Sequence, residues 1–398
     1  MPVFPSDLCD LAWARAHAGQ RVAVAGRVLT TGPRVDLGDR FATIEVRFAA
    51  RGALDVGDLV VLEGLVGERG LDDAAVIERH TPAREPRDVL APAAAPRALL
   101  ERAAILKRVR AFFEAERFVE VETPCGVPSP GLDLHLDAFE APGLGYLITS
   151  PEYQMKRLLV SGVPRCFQIA RCFRRGELGA NHNPEFTMLE WYRAFEGVEA
   201  VMDDTERLVR DVVLASRAEL VVGGARVDLE RPFARITVAE AFARFAGVAA
   251  DEAIAMASAD EERFFRLLVD RVEPALAAQH TGVFLTEYPA PFASLARKKP
   301  GDPRVAERFE LYVGGLELCN GFGELTEPVE QRARLERDRD ERARRGLAVY
   351  PIDERFLAAL EQGMPPSAGN ALGLDRLVML ALGAHAIGDV MAFPAAAL

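Results

Sequence analysis

The chain has 398 residues, 49% hydrophobic and 27% charged, with a formal net charge of −12. That length carries one large core plus a smaller domain. The acidic balance and the lack of a basic tail or block count against broad polyanion binding, and no apolar run reaches the roughly 20 residues a membrane helix needs.

The first residues, MPVFPSDLCD, lack a basic region followed by an apolar stretch, so no secretory signal is expected. The five cysteines (Cys9, Cys125, Cys166, Cys172 and Cys319) are scattered without a CxxC pair, which points away from zinc or a disulfide framework and towards a reducing cytoplasm. Residues 1–90 hold short β-rich runs, RVAVAGRVL, RFATIEVRF, DLVVLEGLVGE and DAAVIERH, separated by Gly/Asp turns. They predict a small barrel, the five-stranded OB-fold first, with a β-sandwich fragment as the alternative. In RFATIEVRF, Phe41, Thr43, Glu45 and Arg47 share a face, and Phe41 offers an aromatic surface to a base. Acids mix freely with arginines there and no basic groove is visible.

TPAREPRDVLAPAAAPRALL, residues 81–100, mixes Pro, Ala and charge without periodicity and reads as a linker. Beyond it, LLERAAILKRVRAFFEAERF is an amphipathic helix, leading into VEVETPCGVPSPG, a strand stopped by Pro124. Residues 145–195 read as strands and turns, about 198–280 as mostly helical, and strands return near 305–325. GNALGLDRLVMLALG closes the pattern as strand, turn and helix. This is not regular βαβ alternation. The fold class expected is α+β, an antiparallel sheet flanked by helices.

Four segments carry candidate chemistry. In TSPEYQMKRLL, Glu152 opens a helix after Pro151, with Ser150 able to cap; a favourable first-turn acid is the plain reading. CFQIARCFRR and PEFTMLEWYRAF are two strands joined by ELGANHN, a loop of turn formers. Alternation puts Phe186, Met188, Glu190 and Tyr192 on one side and Leu189 and Trp191 on the other. A carboxylate and a phenol side by side suit a substrate ammonium, and Arg174 at the hairpin's lip suits a phosphate. A solvated hairpin with surface ion pairs is the plain alternative. In RFELYVGGLELCNGFGE, Gly314-Gly315 suits a primed turn, setting Tyr312 opposite Glu317 and Glu310 opposite Cys319. Glu310 and Glu317 then share a face and a cation, Mg²⁺ if a phosphate is present; two exposed glutamates are the alternative. Last, Arg376 sits in the first turn of a helix, where the positive helix end disfavours a cation unless an anion shares the site.

Together these stretches resemble the catalytic core of class II aminoacyl-tRNA synthetases, in the lysyl branch, over roughly residues 97–398. The helix from Leu99 and the strand to Pro124 look like the first motif of that class, which builds a dimer interface. FRRGELGANHNPEFTMLEWYR looks like the second, and GNALGLDRLVML like the third. Within the branch, TSPEYQMKRLLVSG, HNPEFTMLEWYR, RVAERFELYVGGLELCNGFGEL and ALGLDRLVMLALGA are similar to the elongation factor P–lysine ligases. Ser150 and Ala371 lean the same way, standing where the tRNA enzymes tend to carry alanine and glycine.

The resemblance implies ATP with Mg²⁺, activation of lysine or (R)-β-lysine as an adenylate, and transfer to a lysine side chain of elongation factor P by a homodimer. It implies that Glu152, with Ser150 and Pro151, seats the amino group near the carboxylate, and that Tyr192 and Glu324 hold the side-chain ammonium with Glu190 nearby. Arg174 and Arg376 grip the α- and γ-phosphates as the catalytic pair. Glu177, His182 and Asn183 close the loop over the nucleotide, Phe186 stacks on adenine, and Leu318 and Gly373 border it. Glu310 and Glu317 hold the metal, Asn320 orients the substrate carboxylate, and Ala371 shapes the pocket floor. Two departures stand out: Gly176 occupies the place of a glutamate of the second motif, with Glu177 next to it, and a domain precedes the core where the ligases begin close to it. A lysyl-tRNA synthetase charging tRNA(Lys) and a non-catalytic synthetase-like regulator are the rival expectations.

Overall fold

This computed structural model describes residues 8–32, 34–39, 41–50, 52, 54–82, 94–222 and 225–398. The chain divides into two compact units, Met1–Arg97 and Ala98–Leu398. Most of the linker expected over 81–100 lies outside the described residues.

In the first unit, strand Arg21–Val28 pairs on one side with Val35–Gly38 and on the other with Leu59–Val66. Val35–Gly38 continues to Thr43–Phe48, which runs parallel to Gly70–His80, and the latter returns to Leu59–Val66. The ring closes as a small five-stranded barrel, with Leu8–Cys9 added alongside Arg21–Val28. Alternate residues turn inward as the strand period requires: Val22, Val24 and Val28 meet Leu37, Ile44, Val46, Leu62 and Leu71 in one core. A side chain at Gly70 would lie 2.0 Å from the Glu45 carbonyl, so only glycine lets that strand enter beside its parallel neighbour.

The second unit is built on an eight-stranded sheet. In order its strands are Ala234–Thr237, Val283–Thr286, Arg308–Val313, Leu316–Gly323, Ser367–Gly373, Glu185–Ala194, Arg165–Phe173 and Val119–Glu120. The six central strands are antiparallel; the pairing at each edge is parallel. Helices Pro96–Ala115, Val198–Ser216 and Leu374–Leu382 send Ile105, Phe113, Leu208, Val212, Leu377 and Val378 into the core on one sheet face, where Leu189, Trp191, Leu311 and Leu372 receive them. Phe113 stacks on Phe167 at 4.6 Å between ring centres. The side chains that alternate away from this core, Glu190 among them, face the opposite side.

Several elements depart from the sequence expectation. VEVETPCGVPSPG is not one strand: Val119–Glu120 joins the large sheet, and Gly126–Val127, beyond Pro124, pairs with Gly145–Leu147 in a separate small sheet. A hairpin, Leu220–Val222 with Ala225–Val227, sits inside the stretch expected to be mostly helical, whereas helix Glu152–Val160 opens at Glu152 after Pro151, as expected. Helices Pro328–Arg344 and Glu354–Glu361 fill a span without a sequence reading. In the glycine hairpin, Gly314 and Gly315 take φ of +59° and +84°, as a primed turn requires, and Tyr312 does oppose Glu317. Glu310, however, opposes Asn320 and not Cys319, because the register shifts between Leu311 and Tyr312. The extra residue is Leu318, so Leu318 and Cys319 both enter the core while Glu317 and Asn320 border the cleft.

Candidate active site

The open face of the sheet forms the floor of a cleft of about 1150 Å³. One row of paired residues crosses that floor: Gln168 opposite Glu190, Glu190 opposite Ala371, Ala371 opposite Asn320, and Asn320 opposite Glu310. Partners in a ladder share a face, so five strands deliver five side chains to one line. The Ala371 methyl stands between Glu190 and Asn320, and the side-chain amide oxygen of Asn320 (Oδ1) is buried without a partner.

At one end is an acidic cluster. Ser150 opens it with two bonds: its hydroxyl accepts from the Glu152 amide at 3.1 Å and donates to Glu190 at 2.6 Å. The helix Glu152–Val160 begins at Pro151. Glu190 has no exposed surface and also accepts from the Tyr192 hydroxyl at 2.9 Å. Burial, then repulsion from Glu152, lifts its pKa to about 8 against the help of Ser150, Tyr192 and Lys156. Lys156 is buried and paired with both Glu152 and Glu324. Ser150 and Glu152 line the open cleft, whereas Glu190, Tyr192, Glu324 and Lys156 lie buried behind its wall. At Gly369 an added Cβ would fall 2.3 Å from the Tyr192 ring, so that strand must carry glycine for the phenol to lie flat on it.

At the other end, two arginines converge. Arg376, in the first turn of Leu374–Leu382, donates to the Glu317 carbonyl at 2.8 Å and meets the His182 ring at 2.8 Å. Burial and the Arg376 charge lower the His182 pKa, so a neutral ring accepts that bond. Arg174 lies over the Phe186 ring at 5.0 Å, and its buried Nε has no partner. Glu177 approaches Arg174 at 3.6 Å. Gly176 sits at φ +86°, a left-handed turn where a glutamate would be strained; this accounts for the departure there. Asn183 is buried and bonded at both ends of its amide, to the Glu185 carbonyl and the Ala395 amide, and so braces the loop. Leu318 borders the cleft although its side chain packs in the core. A Cβ on Gly373 would meet the Arg376 stem at 3.4 Å.

Between the ends lie the two glutamates of the hairpin. Glu310 accepts from Tyr288, Tyr312 and Arg308, at 2.5, 2.8 and 2.7 Å. Glu317 is raised by desolvation and by Glu310, with Arg376 opposing, and Arg376 reaches its carboxylate only at 3.5 Å. Among the described residues no group of three or more His, Cys, Asp or Glu side chains forms a metal cage. Two carboxylates, one tethered and one free, fit Mg²⁺, which shares its ligands with phosphates and water.

The cleft therefore collects Arg174, Glu177, His182, Phe186, Glu317, Asn320, Ala371 and Arg376. Sequence reasoning passed over Lys156, Arg308 and Tyr288. Lys156 is one helical turn after Glu152, the i,i+4 spacing that pairs charges, and that spacing was available in the sequence.

Residues 89–397 match the family model of class II tRNA synthetases (D, K and N). An elongation factor P–(R)-beta-lysine ligase of Klebsiella pneumoniae subsp. pneumoniae is 43% identical over 308 residues, covering 74% of this chain and 94% of that protein. Proteins of the same name from Proteus mirabilis and Hamiltonella defensa are 42% and 41% identical, covering 76% and 74% of this chain and 96% and 94% of theirs. Motif order, sheet topology and these matches agree: the chain belongs to the class II tRNA synthetases of the D, K and N group, in the branch of the elongation factor P–(R)-beta-lysine ligases.

Proposed function

We propose that the chain uses ATP to activate lysine or (R)-β-lysine as an aminoacyl-adenylate and passes the acyl group to a lysine side chain of elongation factor P. The observation that carries this reading is the convergence of Arg174, Glu317 and Arg376 on one cleft that has an acidic cluster at its far end. In this reading the substrate carboxylate is oriented by Asn320, its nearer amine lies at Glu152 and Ser150, and its far ammonium enters the buried end formed by Glu190, Tyr192 and Glu324. Arg174 takes the α-phosphate and Arg376 the γ-phosphate, with Phe186 against adenine. Mg²⁺ held by Glu310 and Glu317 would offset charge on the polyphosphate. A carboxylate oxygen attacks the α-phosphorus and pyrophosphate leaves; the acceptor amine then attacks the carbonyl carbon and AMP leaves. The chain's residues act by positioning and by stabilising charge that grows on the phosphate oxygens.

The first unit supports one rival. This unit is a small closed five-stranded barrel with its third strand parallel to its fifth, which is compatible with the OB-type reading, and Phe41 is 50% exposed. Yet Arg34 and Arg47 on that side are paired with Glu45, and Arg47 also with Asp72, which leaves little charge free for a phosphate backbone. Purified protein should exchange pyrophosphate into ATP when offered either lysine isomer, and should label elongation factor P. Labelling of tRNA(Lys) with no protein labelled would select the tRNA reading. No exchange despite binding of lysine or nucleotide would select the regulator. The homodimer is likewise a proposal, and sedimentation of the full chain reads it directly.

A further inference from the structure

Lys156 belongs to no role described so far, and its surroundings are unusual. It sits on the second turn of helix Glu152–Val160, 1% exposed, with its ammonium between Glu152 from its own helix and Glu324 from the end of strand Leu316–Gly323. Strand Glu185–Ala194 adds Glu190 and the Tyr192 hydroxyl to the same cluster, and Arg297 acts on Glu324 from beyond it. The two neighbouring acids raise the lysine's pKa in spite of burial. Three carboxylates therefore share one resident ammonium. A buried pair of this kind is seldom retained for stability, because apolar residues of the same volume generally do as well or better. Removing only the lysine is different, since it leaves carboxylates facing one another in a medium that cannot keep them all ionised.

We infer that Lys156 is a positioning residue that sets the geometry and the net charge of the amine-binding end. It holds Glu152 and Glu324 in place and favours their ionised forms against burial. Once an entering ammonium ionises Glu190, the cluster presents two carboxylate charges beyond the one Lys156 offsets, the complement of a substrate with two ammonium groups. This rests on the reading that the acidic cluster receives the substrate's amines. Without Lys156, a further acid besides Glu190 must take up a proton when the site is empty and release it when a diamine binds. The defect is consequently one of affinity and of pH, and it leaves the arginines at the phosphate end untouched.

The test is lysine-dependent pyrophosphate exchange by the full chain and by Lys156→Met, from pH 6 to pH 9, with thermal melting to show that each is folded. Lys156→Gln, which can still hydrogen-bond both carboxyls, keeps the test available if the methionine variant fails to fold. A neutral variant should raise KM for lysine by about tenfold or more near pH 7 with a smaller change in kcat, and the gap should narrow towards pH 9. Its preference for lysine over norleucine, which lacks the second amine, should fall. A folded neutral variant with the wild-type KM and pH profile would overturn the inference. Absence of exchange by the wild type with any diamino acid would instead remove the activation reading on which it rests.

Discussion

Glu190 shows how one side chain carries a pH signature. Its carboxyl is held near pKa 8 in the folded chain, against 4.5 for an ordinary glutamate, because it is wholly buried beside Glu152. The folded state thus binds the proton more tightly than the unfolded one. That contribution is present in full below about pH 4.5 and is lost as pH climbs through about 8. Unfolding by urea should show stability falling between these limits, and Glu190→Gln should flatten that part of the decline; an unchanged slope would assign the titration elsewhere. An entering ammonium favours the ionised carboxylate, so binding of a diamine near neutrality should release protons, seen as buffer-dependent calorimetric heat. Ala371 acts by volume alone. Its methyl fills the step between Glu190 and Asn320, the two residues proposed to face opposite ends of the substrate. Ala371→Gly removes a contact worth roughly 1–3 kcal/mol in a fitted pocket, so the ratio of kcat/KM for α-lysine to that for β-lysine should rise by about ten- to 100-fold. An unaltered ratio would show that the methyl does not touch the substrate.

Among the elements, helix Pro328–Arg344 is the most instructive. It buries Gln331, Arg334 and Arg342 alongside a single leucine, so its inward face has no apolar period by which the sequence would reveal it. Arg342 is completely enclosed: it donates to the carbonyls of Ala348, Asp133 and Leu136, pairs with Asp137, and lies 4.7 Å from the centre of the Tyr350 ring. Asp133 to Leu136 wall the cleft, and Asp137 also holds Arg175 at the base of the phosphate-side loop. Arg342→Ala should cost about 2–3 kcal/mol in urea unfolding, because three carbonyls lose a buried donor while Asp137, a third exposed, keeps Arg175. A loss below about 1 kcal/mol would mean that these groups find water instead. The same helix marks the limit of what the sequence disclosed. Strand Glu185–Ala194 was legible because Leu189 and Trp191 alternate strictly with Met188, Glu190 and Tyr192. The glycine turn was legible from its two glycines, but the bulge at Leu318 was not, since a one-residue slip leaves no mark in composition. Arg342 escaped because long-range ion pairs have no period, whereas Lys156 stands at helical spacing from Glu152 and only its second partner, Glu324, is remote in sequence.

At the scale of the whole chain, the two units differ in what they contribute. Each has its own apolar core, one built from Leu11 to Ala74 and the others from residues beyond Ile105. Among the described residues, those that wall the cleft lie between Ser129 and Ile387, within the second unit. The family model begins at residue 89, and the Klebsiella relative is covered over 94% of its length by 74% of this chain. A separate apolar core and a cleft whose described walls all belong to the second unit lead to one expectation. A chain starting at Pro96, which keeps the helix Pro96–Ala115 whole, should fold and retain lysine-dependent pyrophosphate exchange within about threefold of the full chain. Loading of elongation factor P measured on the same samples then isolates the barrel. If exchange persists while loading falls, the barrel serves the acceptor and not the chemistry, and the exposed Phe41 and its neighbours become the place to look for that contact. If exchange itself falls more than about tenfold in a folded truncation, the independence of the two units is wrong, and the barrel must stabilise the synthetase sheet that bears Glu190 and Glu317.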